Sequence, residues 1–181
     1  VTIYDQHGNK VTRPESVSKL TADAAEKSGY RHFMLKEIFT QPRAVAETLE
    51  GRLENDRVDD AIFGADAAAI FDHVKGVTIV ACGTSYHAGT VAKYWLEGIA
   101  GVPCTVEVAS EFRYRNPVVP KDTLLVTISQ SGETADTLAA LREAKRAGYA
   151  HSLAICNVPD SPLTREAELV RMTRARPQTG V

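Results

Sequence analysis

The second half of the chain alternates short apolar runs with amphipathic stretches, a pattern that few folds accommodate. Four runs rich in Val, Ile, Leu and Thr occupy residues 78–81, 105–108, 123–128 and 152–156. Helical stretches are expected over residues 86–97 and 134–147, the second ended by Gly148 as a C-cap. Largely apolar strands separated by amphipathic helices are typical of a parallel sheet covered on both faces. The pattern therefore predicts an α/β fold, with a fifth strand over residues 169–173.

The chain before these strands is predicted to hold one hairpin and several helices. A β-prone run and a Gly-Asn turn pair predict the hairpin over residues 1–11, and a brief helix is expected over residues 22–27. Apolar residues at helical spacing then predict two helices, with a break at Gln41 because Pro42 is expected to start the second one. An alanine-rich stretch predicts a third helix over residues 65–74.

Composition excludes several classes of protein. With 44% hydrophobic residues, the 181-residue chain can bury a full core. The 21 basic and 23 acidic residues are well mixed, so we expect neither a nucleic-acid partner nor a membrane partner. The three cysteines lack metal-ligand spacing, which predicts a cytoplasmic protein without a metal or cofactor.

Two loops rich in hydroxyl groups follow predicted strands, over residues 82–85 and 129–134. In open parallel sheets, ligands bind beyond the carboxyl ends of the strands, where loops lead into helix N-termini. Free N–H groups and the helix dipole attract anions there, and glycine lets the backbone approach a ligand closely. The hydroxyls that could donate further hydrogen bonds to a phosphate are those of Ser85, Ser129, Ser131 and Thr134.

A structural interpretation of these loops stays open. Ser and Thr are preferred N-caps of any helix, and glycine is common in tight turns. Neither loop matches the P-loop or the dinucleotide-binding fingerprint. Spacing alone therefore leaves a phosphate site and ordinary helix capping about equally supported.

The order of several motifs along the chain favours a phosphate site over ordinary helix capping. The motifs are Tyr30-Arg31-His32 with Met34, Lys36-Glu37-Ile38, Gln41-Pro42, CGTSYH (82–87), ASEFRYR (109–115), SQSGET (129–134) and ICNVP (155–159). This series resembles the first sugar isomerase (SIS) half of the glutamine:fructose-6-phosphate aminotransferase family, the glucosamine-6-phosphate synthases. The resemblance covers residues 30–159, and SQSGET alone would indicate only an SIS domain.

The resemblance implies a flavodoxin-like three-layer sandwich, with a five-stranded, mostly parallel sheet flanked by helices. It implies the conversion of fructose 6-phosphate and glutamine to glucosamine 6-phosphate and glutamate, the step that opens hexosamine biosynthesis. Fructose 6-phosphate or glucosamine 6-phosphate would be the ligand, and the full-length enzyme would be a homodimer. The positions that match the family's sugar-phosphate site are Thr84, Ser85, Ser129, Gln130, Ser131 and Thr134.

The same resemblance divides the chain. Residues 1–29 correspond to the end of a glutaminase domain and an interdomain linker, and residues 30–181 to the first SIS domain, with its N-terminal helices over residues 30–75. The family's glutaminase cysteine and its second SIS half, which supplies the catalytic side chains, have no counterpart here. We therefore expect no catalytic residue in this chain and no activity from it alone. A non-catalytic SIS module that senses phosphosugars is the alternative, although such regulators usually carry a basic helix-turn-helix before the SIS domain.

Some residues near the loops have weaker assignments. Glu133 is expected to complement the dipole of the following helix, because a carboxylate is unfavourable beside a phosphate. Cys82 is expected to be an inert thiol at a strand end. The cluster over residues 112–115 could bind a partner or could be a packed crossover loop with solvated arginines.

Overall fold

A computed structural model of the protein describes residues 2–12, 26–54 and 57–175. In chain order the elements are strands β1 (Ile3–Tyr4) and β2 (Lys10–Val11), helix α1 (Phe33–Leu49), strands β3 (Leu53–Glu54) and β4 (Arg57–Val58), a 3-10 helix (Asp60–Phe63), helix α2 (Ala67–Phe71), strand β5 (Gly76–Ala81), helix α3 (Gly83–Gly98), strand β6 (Cys104–Val108), helix α4 (Ala109–Phe112), strand β7 (Thr123–Ser129), helix α5 (Ala135–Ala147), strand β8 (His151–Cys156), helix α6 (Pro162–Glu166) and strand β9 (Leu169–Met172).

Strands β5 to β9 form one parallel sheet in the spatial order β6-β5-β7-β8-β9. The predicted parallel α/β fold is therefore confirmed, and so is the fifth strand. The chain moves from β5 outward to β6 and then returns to the other side of β5 as β7. The order thus reverses between β5 and β7, where the last residue of β5, Ala81, pairs with Ile128. This switch point is where open α/β sheets place their ligands.

Two hydrophobic cores cover the two faces of the sheet. Leu125 packs with Leu141 of α5 and Leu163 of α6 in one core, whereas its neighbour Val126 lies in the other core, with Ile70 of α2. Successive residues of a strand point to opposite faces, so β7 contributes to both cores. The result is three layers, with the sheet between two sets of helices.

The predicted break at Gln41 is wrong, because α1 continues through Pro42 without interruption. A proline inside a helix removes the hydrogen bond to the carbonyl four residues earlier, here that of Ile38. Ile38 is 51% exposed and Pro42 is also exposed, so water can satisfy that carbonyl. The remaining backbone hydrogen bonds then suffice to continue the helix.

Other local predictions have mixed outcomes. The N-terminal hairpin is confirmed, since β1 and β2 pair antiparallel. Helix α3 begins at Gly83, earlier than predicted, whereas α5 ends at Gly148 in the left-handed conformation as predicted. The third predicted helix is shortened to α2, and the helix expected over residues 22–27 lies mostly outside the described residues. Within the described ranges, no helix combines the length and the apolar character needed to cross a bilayer.

Candidate functional site

The two hydroxyl-rich loops lie at the carboxyl ends of neighbouring strands. Thr84 and Ser85 stand in the first turn of α3, directly after β5, and Ser129 is the last residue of β7. Because β5 and β7 are parallel and paired, both loops leave the same edge of the sheet. They border the switch point from its two sides. The topology therefore brings together the two segments that the sequence pattern identified.

Hydrogen bonds fix the shape of residues 129–134, which we call the phosphate loop because the sequence predicts a phosphate site there. The backbone N–H of Gly132 donates to Ser129 Oγ over 3.0 Å, and Ser129 Oγ lies 3.2 Å from Thr134 Oγ1. The backbone N–H of Glu133 donates to Ser131 Oγ over 3.2 Å. Ser129 is 4% exposed, while Ser131 and Thr134 are half-buried and reachable from solvent. Ser129 thus organises the loop, and its two neighbours present hydroxyls at the sheet edge.

Gly132 occupies a position in the phosphate loop that admits no side chain. Its φ of +67° lies in the left-handed region, and an added Cβ atom would fall 2.1 Å from Ser161 Oγ and 2.8 Å from Cys156 Sγ. The Gly132 carbonyl also accepts a hydrogen bond from the backbone N–H of Leu163 over 3.1 Å. The start of α6 therefore packs against the phosphate loop and is hydrogen-bonded to it.

A second support comes from residues that the sequence did not single out as site residues. The Gln130 carbonyl accepts a hydrogen bond from the backbone N–H of Asn157 over 3.2 Å. The Oδ1 atom of Asn157 in turn accepts one from Thr173 Oγ1 over 2.9 Å, and the Thr173 carbonyl accepts one from Thr48 of α1. These contacts connect α1 and the end of β9 to the phosphate loop. The available signal was the position of Asn157 in ICNVP, directly after a strand.

The N-terminus of α5 follows the phosphate loop and has free donors. Thr134 is its N-cap residue, but the Thr134 side chain makes no capping hydrogen bond, and the first helical bond is Leu138 N–H to the Thr134 carbonyl. The backbone N–H groups of residues 135–137 therefore have no acceptor within the helix. They add to the positive end of the helix dipole, which favours a bound anion.

Charged side chains surround this helix terminus. Asp136 in the first turn of α5 is paired with Arg113, whose Nη1 lies 2.5 Å from Asp136 Oδ1. This hydrogen bond raises the pKa of the Arg113 guanidinium above its ordinary value. Glu133 is exposed in the loop itself. The phosphate loop contains no Lys or Arg, so a bound anion would be held by uncharged donors.

The loop over residues 82–85 is more exposed than the phosphate loop. Gly83 has a φ of +54°, Thr84 is exposed and Ser85 is half-buried. In the part of the chain that the structure describes, no hydrogen bond joins Thr84 or Ser85 to the phosphate loop. Cys82 is half-buried and packs against the core that contains Leu125. The two loops therefore lie on either side of the switch point and are not joined by these hydroxyls.

Residues 112–115 are partly packed and partly exposed, since Phe112 is buried whereas Tyr114 is 80% exposed and Arg115 is also exposed. Phe112 is fully buried in the core as the last residue of α4, which the sequence pattern missed because four residues carry no helical periodicity. Arg113 pairs with Asp136, and Arg115 forms two hydrogen bonds with Glu107, of 2.7 Å and 2.5 Å. The arginines are therefore engaged in ion pairs within the chain.

The site as a whole is suited to binding an oxyanion beside a small polar molecule. Hydroxyls and backbone amides supply the donors, and both loops lie at the carboxyl ends of the paired strands β5 and β7. Among residues 2–12, 26–54 and 57–175, no cluster of three or more His, Cys, Asp or Glu side chains could hold a metal ion. Binding is the function that this arrangement supports directly.

An α/β sandwich with hydroxyl-rich loops at its switch point defines the class of three-layer domains that can bind a small anionic ligand at the sheet edge. The chain belongs to the SIS domain family, whose model matches residues 70–181, more than half of its length.

Relatives named glutamine–fructose-6-phosphate aminotransferase (isomerizing) extend the match to the whole chain. Those of Pseudomonas putida and Pseudomonas syringae pv. tomato are 62% and 60% identical over 181 residues. The chain spans 30% of the length of each of these relatives. The solved C-terminal domain of glucosamine-fructose-6-phosphate aminotransferase from Francisella tularensis is 51% identical and superposes with a TM-score of 0.78. That match covers 86% of this chain and 43% of the other.

Proposed function

We propose that this chain is the phosphosugar-binding half of a glutamine:fructose-6-phosphate aminotransferase (isomerizing). The enzyme would convert fructose 6-phosphate and glutamine to glucosamine 6-phosphate and glutamate. The observation that carries the proposal is the pair of hydroxyl-rich loops on the paired strands β5 and β7, at the switch point of the sheet. The identity of 62% to a relative of that name, over all 181 residues, supports it.

In this proposal the phosphate group binds at the N-terminus of α5. Ser131 and Thr134 donate hydrogen bonds from their hydroxyls, together with the N–H groups of the first turn, while the Ser129 hydroxyl donates to Thr134 Oγ1 and organises the loop. Hydrogen bonds to a charged group contribute about 1.5–3 kcal/mol each, so these hydroxyls and N–H groups together are sufficient for useful affinity without a cation. The other three positions of the proposed site are Thr84, Ser85 and Gln130, which border the space for the sugar.

The proposal gives this chain the task of holding the substrate, and it assigns no catalytic residue here. Ammonia release and proton transfer would be carried out by parts of the relatives that lie outside the 30% matched by this chain. The chain by itself would bind a hexose phosphate without converting it. We also propose that the full-length enzyme is cytoplasmic and forms a homodimer.

Calorimetric titration with glucosamine 6-phosphate tests the binding site. The phosphorylated sugar should bind and glucosamine should not, because the phosphate provides most of the contacts. Replacing Ser129, Ser131 and Thr134 together with alanine should weaken binding at least roughly a hundredfold. Thr105→Ala is the matched control, since it removes an exposed hydroxyl from the edge strand β6. Unchanged affinity in a folded triple variant would overturn the proposed site.

A chimeric enzyme tests the catalytic assignment. This chain would replace the corresponding segment of the Pseudomonas putida relative, and the chimera would be assayed for glucosamine 6-phosphate formation from fructose 6-phosphate and glutamine. The chimera should be active, the triple alanine variant should lose most of kcat/KM, and the isolated chain should be inactive. An inactive but folded chimera that still binds glucosamine 6-phosphate would favour a sensing module over an enzyme half.

A further inference from the structure

The ion pair between Arg113 and Asp136 stands at the terminus of the helix that would bind the phosphate. Asp136 is the second residue of α5, two positions after Thr134. Arg113 comes from a different segment, directly after α4, and its Nη1 lies 2.5 Å from Asp136 Oδ1. The Arg113 guanidinium also lies 4.8 Å from the centre of the Tyr114 ring. The cation is thus held in place from two sides.

Asp136 without a partner would disfavour a bound phosphate for two reasons. Its negative charge would repel a phosphate dianion across a distance of only a few residues. A carboxylate in the first turn of a helix is also itself attracted by the free amides and the helix dipole, which are the groups the phosphate needs. Glu133, exposed in the same loop, adds a second negative charge. The phosphate loop has no cation of its own to balance them.

We propose that Arg113 is a positioning residue for phosphosugar binding, which acts by pairing with Asp136 and keeping its carboxylate away from the amides of α5. The inference rests on the proposed function, since it concerns the affinity of the same site. Arg113 neutralises the first-turn carboxylate and fixes its direction, so that the positive end of the helix remains available to the substrate. Arg115 does not share this role, because both of its hydrogen bonds go to Glu107.

A double-mutant cycle tests the inference, with glucosamine 6-phosphate as the titrated ligand. Arg113→Ala should weaken binding by roughly tenfold at low ionic strength, and the loss should shrink at high ionic strength because salt screens the exposed Asp136 charge. Asp136→Asn alone should not weaken binding. The double variant should regain most of the affinity that Arg113→Ala loses, and Arg113→Lys should retain it in part. A purely structural role of Arg113 would produce neither the salt dependence nor the rescue.

The controls separate this inference from the proposed site. Arg115→Ala removes a neighbouring arginine from a comparable ion pair and should leave the affinity unchanged. If Arg113→Ala and the double variant bind equally weakly, or if Arg113→Ala binds like the unsubstituted chain, the inference is wrong although the site stands. If the unsubstituted chain does not bind glucosamine 6-phosphate at all, the proposed function fails, and the inference fails with it.

Discussion

Ser161 Oγ lies 2.1 Å from the point that a Cβ atom on Gly132 would occupy. Ser161 is 4% exposed and is the N-cap residue of α6, where its hydroxyl accepts a hydrogen bond from the backbone N–H of Thr164. It cannot move aside without uncapping that helix. The phosphate loop can therefore pack against the start of α6 only because residue 132 has no side chain.

Gly132→Ala should disrupt the phosphate loop. We expect a loss of about 2–5 kcal/mol in the free energy of unfolding, from left-handed strain and overpacking together, and no measurable phosphosugar affinity. Urea unfolding and calorimetry would measure the two effects. Gly51→Ala is the matched control, because Gly51 has a similar φ of +66° but nothing within 4 Å of the added atom. Equal losses in both variants would show that strain, and not the contact with Ser161, determines the result.

The hydrogen bond between Thr173 and Asn157 should matter for affinity as well as for stability. Thr173→Val keeps the shape of the side chain and removes the hydroxyl that donates to Asn157 Oδ1. We expect about 1 kcal/mol of destabilisation and a several-fold weaker affinity for glucosamine 6-phosphate, since Asn157 supports the Gln130 carbonyl. Thr105→Val on the edge strand is the control. An affinity equal to that of the unsubstituted chain would contradict the role of this contact.

Helix α3 approaches the sheet most closely at Gly89. An added Cβ there would lie 2.9 Å from Ile79 Cγ2 of β5 and 3.3 Å from Val106 Cγ1 of β6. Both side chains would have to move to make room for it. Alanine favours a helix by about 1 kcal/mol over glycine, whereas overpacking costs about 1–3 kcal/mol. Gly89→Ala should therefore lower stability by about 1 kcal/mol in urea unfolding.

Gly98→Ala provides the comparison for that substitution. Gly98 is the last residue of the same helix, and an added Cβ would meet nothing within 4 Å. This variant should be as stable as the unsubstituted chain or slightly more stable. If Gly89→Ala were stabilised to the same degree, the close approach of α3 to β5 and β6 would be refuted.

Acid should loosen the contact between α5 and α6. Arg142 of α5 donates two hydrogen bonds to the Glu166 carboxylate, of 2.9 Å and 2.5 Å, and these lower the pKa of Glu166 below its ordinary value of 4.5. A carboxylate with a lowered pKa stabilises the folded state above its unfolded pKa, and this contribution is lost as the pH falls through the lowered value. The expected window therefore lies below pH 4.5.

Glu166→Gln tests whether the Glu166 carboxylate stabilises the folded state at higher pH and loses this effect in acid. Thermal unfolding of the unsubstituted chain should lose more stability on acidification below that window than unfolding of the variant does. Because the Arg142 side chain is 52% exposed, solvent screens the ion pair and the whole contribution should be small. Arg142→Met should flatten the acid response in the same way, since it removes the partner. A steeper acid response in either variant would reverse the assignment.

The sequence predicted the sheet and the position of the loops, because both depend on local patterns. Apolar runs of strand length fixed β5 to β9, and the glycine and hydroxyl residues after two of them located the site. The strand order, which brings residues 82–85 beside the phosphate loop, followed only from the structure. Contacts such as Asn157 with Gln130 join residues that follow different strands, and no local pattern encodes them.

Two errors show the limits of local rules. Pro42 was expected to end a helix, but the exposed position of its turn lets water replace the missing hydrogen bond. Helix α4 was missed because its four residues are stabilised by the burial of Phe112, a tertiary effect. In both cases the surroundings of the segment determined its secondary structure more than the helix propensity of its residues did.

The bonds that Ser129 makes with Gly132 and Thr134 join groups of the phosphate loop itself, so folding alone forms them. The phosphate loop therefore loses its conformational freedom when the protein folds, and little remains to be lost on association. An arriving anion meets a rigid receptor, so its capture should be a single, fast kinetic phase whose rate rises linearly with ligand concentration.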